Sequence, residues 1–233
     1  MRAIVGTVLA VAMLTGCSAG GASVATTPAV GQTDESGTSE PTDSNATAEP
    51  ETAAFKPISL KGKGKKVAKF TIPEGVAAIA DFTHKGRSNF IVDTVDANGD
   101  TLDNLVNAIG NYKGTVLFDV GADEHAVAFA IDADGAWTAT IKPIASAKVW
   151  NATTVLSGTG DNVYQIAPPS TGLVTLTLTY SGNENFIVDS YSLDSRENLA
   201  NEIGKFKGEV LLPDGSFLFV VDADTGKWTA TPG

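Results

Sequence analysis

The chain has 233 residues, a formal net charge of −11 and a single cysteine. One cysteine excludes a framework of internal disulfides, and an acidic chain without an extended basic face argues against nucleic-acid binding. The length allows one or two domains.

Residues 1–17 are interpreted as a secretion signal. Arg2 precedes an uncharged apolar run over residues 3–14, which is typical of a signal peptide. This run is shorter than the ~20 apolar residues that a membrane-spanning helix needs. The motif "LTGC" at residues 14–17 resembles the lipobox of bacterial lipoproteins. The resemblance implies that Cys17 is lipidated, with palmitate among the added chains, and anchors the protein at the extracellular face of the cell membrane.

Residues 18–54 contain mainly Ser, Thr, Ala, Gly, Pro and acids, without Lys, Arg or an aromatic residue. Such a segment buries too little apolar surface to offset the entropy of ordering, so it predicts a disordered linker. As a flexible coil this length would span roughly 33 Å on average. We therefore expect a tether that holds the rest of the chain away from the membrane.

Beyond the linker, the sequence repeats itself. "NFIVD" at residues 89–93 returns at residues 185–189. "NLVNAIGNYKGTVL" at residues 104–117 returns as "NLANEIGKFKGEVL" at residues 198–211. Shared blocks that keep the same order, with small gaps between them, indicate a tandem duplication.

The two copies predict two domains, residues 55–142 and 143–233, called the first copy and the second copy below. In "LVTLTLTY", residues 173–180, apolar residues alternate with Thr, which predicts a strand with one buried face. The positions expected to face inward are Val174, Leu176, Leu178 and Tyr180, and in the first copy Ala78, Ala80, Phe82 and His84. No window sustains a helical period. The predicted fold is therefore all-β: two tandem small antiparallel β-sandwich domains, jelly-roll-like or Ig-like, with six to eight strands each.

Several connections can be predicted from local sequence. Asp134-Gly135 predicts a tight hairpin turn. The repeated Asn-Leu block is expected in a connection, where Gly110 and Gly204 supply backbone conformations closed to other residues. Trp150, in the joint between the copies, is expected between the two domains. The asparagines expected to hydrogen-bond the backbone of that connection are Asn104, Asn107, Asn198 and Asn201.

Two groups of charged or titratable residues have a structural interpretation beside a functional one. Five lysines between residues 61 and 69 are expected on a hairpin at a sheet edge, where Lys prevents aggregation; a contact with an anionic wall polymer or with lipid headgroups is the alternative. His84 is expected in the core, and His125 in a loop. The Asp-Ala-Asp segments at 132–134 and 222–224 are expected at turns, or as an acidic rim that traps a cation.

The repeated motifs resemble those of largely uncharacterised secreted and lipid-anchored proteins of actinobacteria. They are Gly-x-x-Asn-Phe-x-Val, Asn-Leu-x-Asn-x-Ile-Gly-x-aromatic-x-Gly and Ala-Asp-Gly-x-Trp-Thr. In layout, with Pro-Glu-Gly at residues 73–75, the chain is also similar to prepeptidase C-terminal modules, which are β-sandwich accessory modules. Neither resemblance implies a catalytic constellation.

The segment "DANGD", residues 96–100, resembles the start of a calcium loop. Asp96, Asn98 and Asp100 occupy alternate positions, and Asp103 lies nearby, so hard oxygen ligands could surround Ca²⁺. A turn formed by Asn98 and Gly99 alone is the alternative, and the second copy lacks the pattern. Calcium is the one cofactor that the sequence suggests.

Together these features predict a lipid-anchored surface protein that displays two β-sandwich modules. The expected function is non-enzymatic binding of a glycan, a cell-wall polymer or a partner protein, with avidity from two copies. A structural or accessory role beside a membrane or wall complex is the alternative, and a hydrolase is a third. The partners implied are the membrane, through lipid, and a wall or host glycan or a surface protein.

Overall fold

The computed structural model describes residues 55–121 and 125–233, so Cys17 and the linker lie outside the described residues. The described residues belong to one compact unit built from β-strands and a single 3-10 turn, and the predicted all-β sandwich fold is confirmed. Within this part of the chain, no helix has the length and apolar character needed to cross a bilayer.

The first copy is a sandwich of two four-stranded sheets. Its strands are β1 (Ile58–Lys63), β2 (Lys66–Lys69), β3 (Ala78–Lys85), β4 (Asn89–Val95), β5 (Thr101–Ile109), β6 (Tyr112–Phe118), β7 (Ala128–Ala133) and β8 (Ala136–Pro143). One sheet has the order β1-β8-β3-β6 and the other has the order β2-β7-β4-β5. Eight antiparallel strands in this arrangement form a jelly roll.

The second copy repeats this topology and adds one strand. After a 3-10 turn at Ile144–Ser146, its strands are β9 (Lys148–Trp150), β10 (Leu156–Thr159), β11 (Asn162–Ile166), β12 (Val174–Tyr180), β13 (Asn185–Tyr191), β14 (Arg196–Ile203), β15 (Phe206–Leu212), β16 (Leu218–Asp222) and β17 (Lys227–Pro232). The sheet orders are β10-β17-β12-β15 and β14-β13-β16-β11-β9. The added strand β9 pairs in parallel with β11.

The alternating residues of β3 and β12 build the two cores as predicted. Ala78, Ala80 and Phe82 are fully buried in the first core, and His84 lies beside them. Leu176, Leu178 and Tyr180 are buried in the second core, and Val174 packs against it.

The repeated Asn-Phe-Ile-Val-Asp motif has the same structural role in both copies. His84 stacks on Phe90 with ring centroids 4.6 Å apart. In the second copy Tyr180 stacks on Phe186 at 4.7 Å. The motif therefore recurs because its Phe supplies the ring on which the residue at the end of β3 or β12 stacks.

Three predictions about connections are wrong. The repeated Asn-Leu block forms edge strands β5 and β14 instead of a connection. The prediction missed these strands because polar residues on a sheet edge hide the alternation. The turn at Asp134-Gly135 is tight, but it joins β7 and β8, which belong to different sheets. It is therefore a corner of the sandwich and not a hairpin. Trp150 packs on Phe219 in the second core instead of between the copies.

The lysines between residues 61 and 69 lie on sheet edges, as predicted, but not on one hairpin. β1 and β2 are the edge strands of two different sheets, so the lysines line a corner of the sandwich and not one hairpin. Gly110 and Gly204 have φ angles of 88° and 81°, as predicted from their place after the Asn-Leu block.

Among the described residues, every strand pairing stays within one copy. The two copies are joined by side-chain contacts and by a backbone hydrogen bond from Thr115 N–H to the Asp161 carbonyl. Ile79 and Leu117 of the first copy pack with Val163, Leu218 and Val220 of the second. We call this contact the junction.

Candidate functional site

The shared Asn-Leu block holds a bulge in each copy. The register of β4 against β5 shifts at Asp93, where Asn104 Nδ2 donates to Asp93 Oδ1 over 2.7 Å. The second copy repeats the shift at Asp189, which accepts a 3.0 Å bond from Asn198 Nδ2. These two asparagines also donate to backbone carbonyls, as predicted.

The other two asparagines of the block differ from the prediction. Asn107 and Asn201 are exposed on the edge strands β5 and β14. They face solvent because the block is a strand and places alternate side chains on opposite sides.

The predicted calcium residues lie at the turn between β4 and β5. Asp96 Oδ1 accepts hydrogen bonds from the backbone N–H groups of Asn98, at 2.9 Å, and Asp100, at 2.8 Å. The bond from Asp100 is the main reason that the pKa of Asp96 lies below its ordinary value. Asp103 follows in β5 and donates its N–H to Thr94 Oγ1. This geometry is that of the alternative, a hydrogen-bonded turn, and calcium binding there stays a prediction.

Across residues 55–121 and 125–233, no group of three or more His, Cys, Asp or Glu side chains is placed to hold a metal ion. His84 is buried, as predicted: its Nδ1 lies 2.6 Å from Gly110 O, and its Nε2 accepts the N–H of Gly135. His125 contacts Asp119 at 3.2 Å. Both rings therefore have structural partners.

The two copies share a partly exposed polar feature on equivalent sheets. Thr83 and Thr138 lie side by side on β3 and β8, with hydroxyl oxygens 2.6 Å apart. Thr179 and Thr229 are paired in the same way on β12 and β17, at 2.7 Å. A lysine lies opposite each pair, Lys113 beside Thr83 and Lys207 beside Thr179. We call these two sets of three residues the first threonine row and the second threonine row.

The first threonine row forms part of a groove of about 700 Å³ beside the junction. One wall is the outer face of the sheet that contains β3, β6 and β8, and the other comes from β10 and β11 with the residues next to them. The volume lies in the range of small-molecule sites. The second threonine row lies on the outer face of the equivalent sheet and does not line this groove.

The groove combines hydroxyls with positive charge. Asp81 is held by Lys142 Nζ at 2.7 Å and by Thr115 Oγ1 at 2.7 Å, so the charge of Lys142 is partly balanced. Lys113 is exposed at one end, and Lys148 lies 5.8 Å from the Tyr164 ring centroid. The charged residues that line the groove are three lysines and two carboxylates, Asp81 and Asp161, so cations outnumber acids there on a chain that is acidic overall. This balance favours a ligand that carries hydroxyl and anionic groups.

Sequence reasoning did not identify the threonine rows. A signal was present: "WTAT" occurs in both copies, and its Thr residues alternate with buried residues and must face outward. Which strand lies beside β8 and β17 could not be read from local sequence, so the Thr pairs and their lysines remained separate.

No protein-family model matches the chain, and no curated protein matches its sequence. The functional assignment therefore rests on the fold and on this groove.

Proposed function

We propose that the protein is a bacterial surface lipoprotein that binds a hydroxyl-rich polysaccharide without catalysis. Lipid on Cys17 would anchor it at the extracellular face of the cell membrane, and residues 18–54 would act as the tether. The two sandwiches would present the threonine rows to a cell-wall or host glycan. The proposal for the anchor is supported by the lipobox motif, and the proposal for binding is supported by the groove.

The observation that carries the binding function is agreement on a surface that is partly exposed to solvent. A core must be conserved between two copies because both copies fold in the same way, whereas a solvent-facing pair is not required for folding. Yet both copies keep two Thr hydroxyls within hydrogen-bond distance and a lysine on the neighbouring strand. Thr does favour strands, but this preference does not require an adjacent lysine.

An acidic polysaccharide fits the groove better than a neutral one. Lys113 and Lys148 supply positive charge, and the Thr side chains supply donors and acceptors to sugar hydroxyls. Binding should therefore weaken as salt is raised, because exposed charges are screened.

The test uses the full chain, purified in detergent, against purified wall polysaccharide. The double variant Thr83→Val/Thr138→Val removes both hydroxyls of the first threonine row and keeps β-branched side chains, which suit strands. Two lost hydrogen bonds at ~1 kcal/mol each predict a Kd raised by roughly tenfold or more, since ~1.4 kcal/mol is a factor of ten. Isothermal titration calorimetry measures the change.

The matched control is Thr179→Val/Thr229→Val on the second threonine row, which should raise Kd less because that row lies outside the groove. A circular dichroism melt checks that both variants fold. A structural or accessory role without a ligand predicts that the wild type binds no polysaccharide, and that result would overturn the binding proposal.

A further inference from the structure

The two copies differ at the residues that join them. Tyr112 at the start of β6 has Phe206 as its counterpart, and Asp161 just before β11 has Lys65 as its counterpart. In the first copy Lys65 forms an ion pair with Asp132 at 2.8 Å. The second copy has replaced this lysine by an acid, so a favourable pair has become a pair of like charges at the junction.

Asp161 connects the copies directly. Its side chain accepts a hydrogen bond from the hydroxyl of Tyr112 across the junction. Its other carboxylate oxygen accepts the N–H groups of Ala223, at 2.9 Å, and Asp224, at 3.1 Å. Its backbone carbonyl accepts the N–H of Thr115 over 2.9 Å. Asp161 is only 6% exposed, so these bonds are shielded from water.

The charges around Asp161 are mainly negative. Asp222 at the end of β16, Asp224 just after it and Glu184 line one cavity with Asp161, on one side of Tyr112. On the other side, Asp103 of β5, Asp119 and Asp189 of β13 line the same cleft as Asp161. The cations that share a cavity with Asp161 are Arg196, which is bonded to Asp189 at 2.8 Å, and the groove lysines Lys113, Lys142 and Lys148. No lysine takes the place that Lys65 has in the first copy.

We propose that the junction is a proton-dependent clamp, closed when the Asp161–Asp222 pair holds a proton and loosened when both carboxyls are ionised. The geometry explains both states. With one proton held by the two carboxyls, the pair carries one charge, and the bonds from Asp161 to Tyr112 and to the backbone N–H groups persist. With the proton lost, two charges face one another beside other carboxylates and repel.

The direction of the pH dependence follows from linkage. Burial first, and then the charge of Asp222, raise the pKa of Asp161 from 3.8 to about 7. Burial also raises the pKa of Asp222, although its side chain is exposed enough for water to screen part of the effect. Because the pKa of this carboxyl is higher in the folded state than in the unfolded state, its protonated form stabilises the folded state. That stabilisation is complete below pH ~4 and is lost as the pH rises towards 7.

The experiment compares the full chain with Asp161→Asn at pH 5 and pH 8. Asn keeps an acceptor for the backbone N–H groups of Ala223 and Asp224 and cannot ionise. We expect the variant to melt within error of the wild type at pH 5 and at least ~4 °C above it at pH 8. Asp132→Asn, at the first-copy counterpart of Asp222, is the control and should show no such gain at pH 8.

Amide hydrogen exchange provides a local measurement. The N–H of Thr115 spans the junction, so its protection factor, corrected for intrinsic exchange, should fall about tenfold or more in the wild type between pH 5 and pH 8. In Asp161→Asn it should stay constant. Tyr112→Phe, which installs the residue of the second copy, should lower this protection at both values of pH. Equal pH dependence in the wild type and Asp161→Asn, in melting or in Thr115 exchange, would overturn the clamp.

Discussion

Trp137 and Trp228 have the same surroundings in both copies. Each indole Nε1 donates to a backbone carbonyl, that of Gly64 at 3.1 Å and that of Gly160 at 2.9 Å. Each ring also lies against a glycine of the neighbouring edge strand: an added Cβ on Gly62 would stand 2.4 Å from the Trp137 ring. The repeated tryptophan and the repeated glycine are therefore one packing unit.

We predict that Gly62→Ala destabilises the protein, because the new methyl group overlaps a ring that is held by its own hydrogen bond. Overpacking of this kind costs about 1–3 kcal/mol, which lowers Tm by roughly 2–4 °C per kcal/mol in a chain of this size. Differential scanning calorimetry measures the shift. Ser59→Ala, an exposed change on the same strand β1, is the control, and equal melting of the two variants would contradict the prediction.

The edge strands β5 and β14 show how a repeated motif fixes an irregular element. At the bulge in the second copy, Asp189 is buried and accepts bonds from Asn198 Nδ2 at 3.0 Å and from Arg196 at 2.8 Å. The first copy has the same Asn–Asp pair, Asn104 with Asp93, and lacks the arginine. The asparagine is thus the shared part of the bulge, because a neutral donor must meet the carboxylate there.

Asn198→Asp should therefore destabilise the protein at pH 7 by about 1–3 kcal/mol, since it replaces a donor with a second carboxylate. The loss should shrink at pH 3, where the introduced carboxyl can carry a proton and donate a hydrogen bond to Asp189. Chemical denaturation at both values of pH measures it. Asn201→Asp, on the exposed side of the same strand, should be nearly neutral, and similar losses in both variants would refute this role of Asn198.

The sequence predicted the elements with clear alternation and missed those whose pattern depends on the sheet order. β12 was predicted because Thr and apolar residues alternate along it. β14 was not, because a strand at a sheet edge with a bulge exposes more residues and shifts the alternation by one. The threonine rows and the Tyr112–Asp161 contact join residues far apart in the chain, and local sequence carries no distance between them.

At the scale of the whole molecule, the copies differ where they touch. Ile79 is fully buried in the junction, and its counterpart Thr175 is exposed. Val163 is 2% exposed, whereas its counterpart Val67 is 59% exposed. Where a residue of one copy is buried in the junction, its counterpart in the other copy is more polar or more exposed to solvent. The terminal repeats of repeat proteins differ from the inner ones in the same way. This polarity favours one junction per chain over continued stacking.

Ile79→Thr installs the residue of the second copy in the junction. It should cost about 2–3 kcal/mol, through lost apolar contacts and a buried hydroxyl, and it should separate the melting of the two sandwiches in calorimetry. Leu211→Thr, at the free counterpart of Leu117, is the control and should leave the melting profile unchanged. A single unaltered transition for Ile79→Thr would show that Ile79 does not contribute to the coupling of the copies.

The anchor can be tested on the intact cell. We predict that labelled palmitate, supplied in the medium, is incorporated into the wild-type protein and not into Cys17→Ser, because the lipobox cysteine is the acceptor. Immunoprecipitation followed by fluorescence detection measures the label. Equal labelling of both proteins, or an unlabelled wild type, would contradict lipid anchoring through Cys17.

The connection between the copies is itself a strand. After the 3-10 turn at Ile144–Ser146, β9 adds to the edge of the second copy's sheet beside β11, so no slack chain separates the sandwiches. A long ligand that contacts both threonine rows would find them at a fixed distance and angle, which domains joined by a flexible linker would not provide. Under the proposed polysaccharide binding, the fixed spacing of the rows would select polymers by the repeat length of their charged units, and polymers with a different spacing would engage one row at a time.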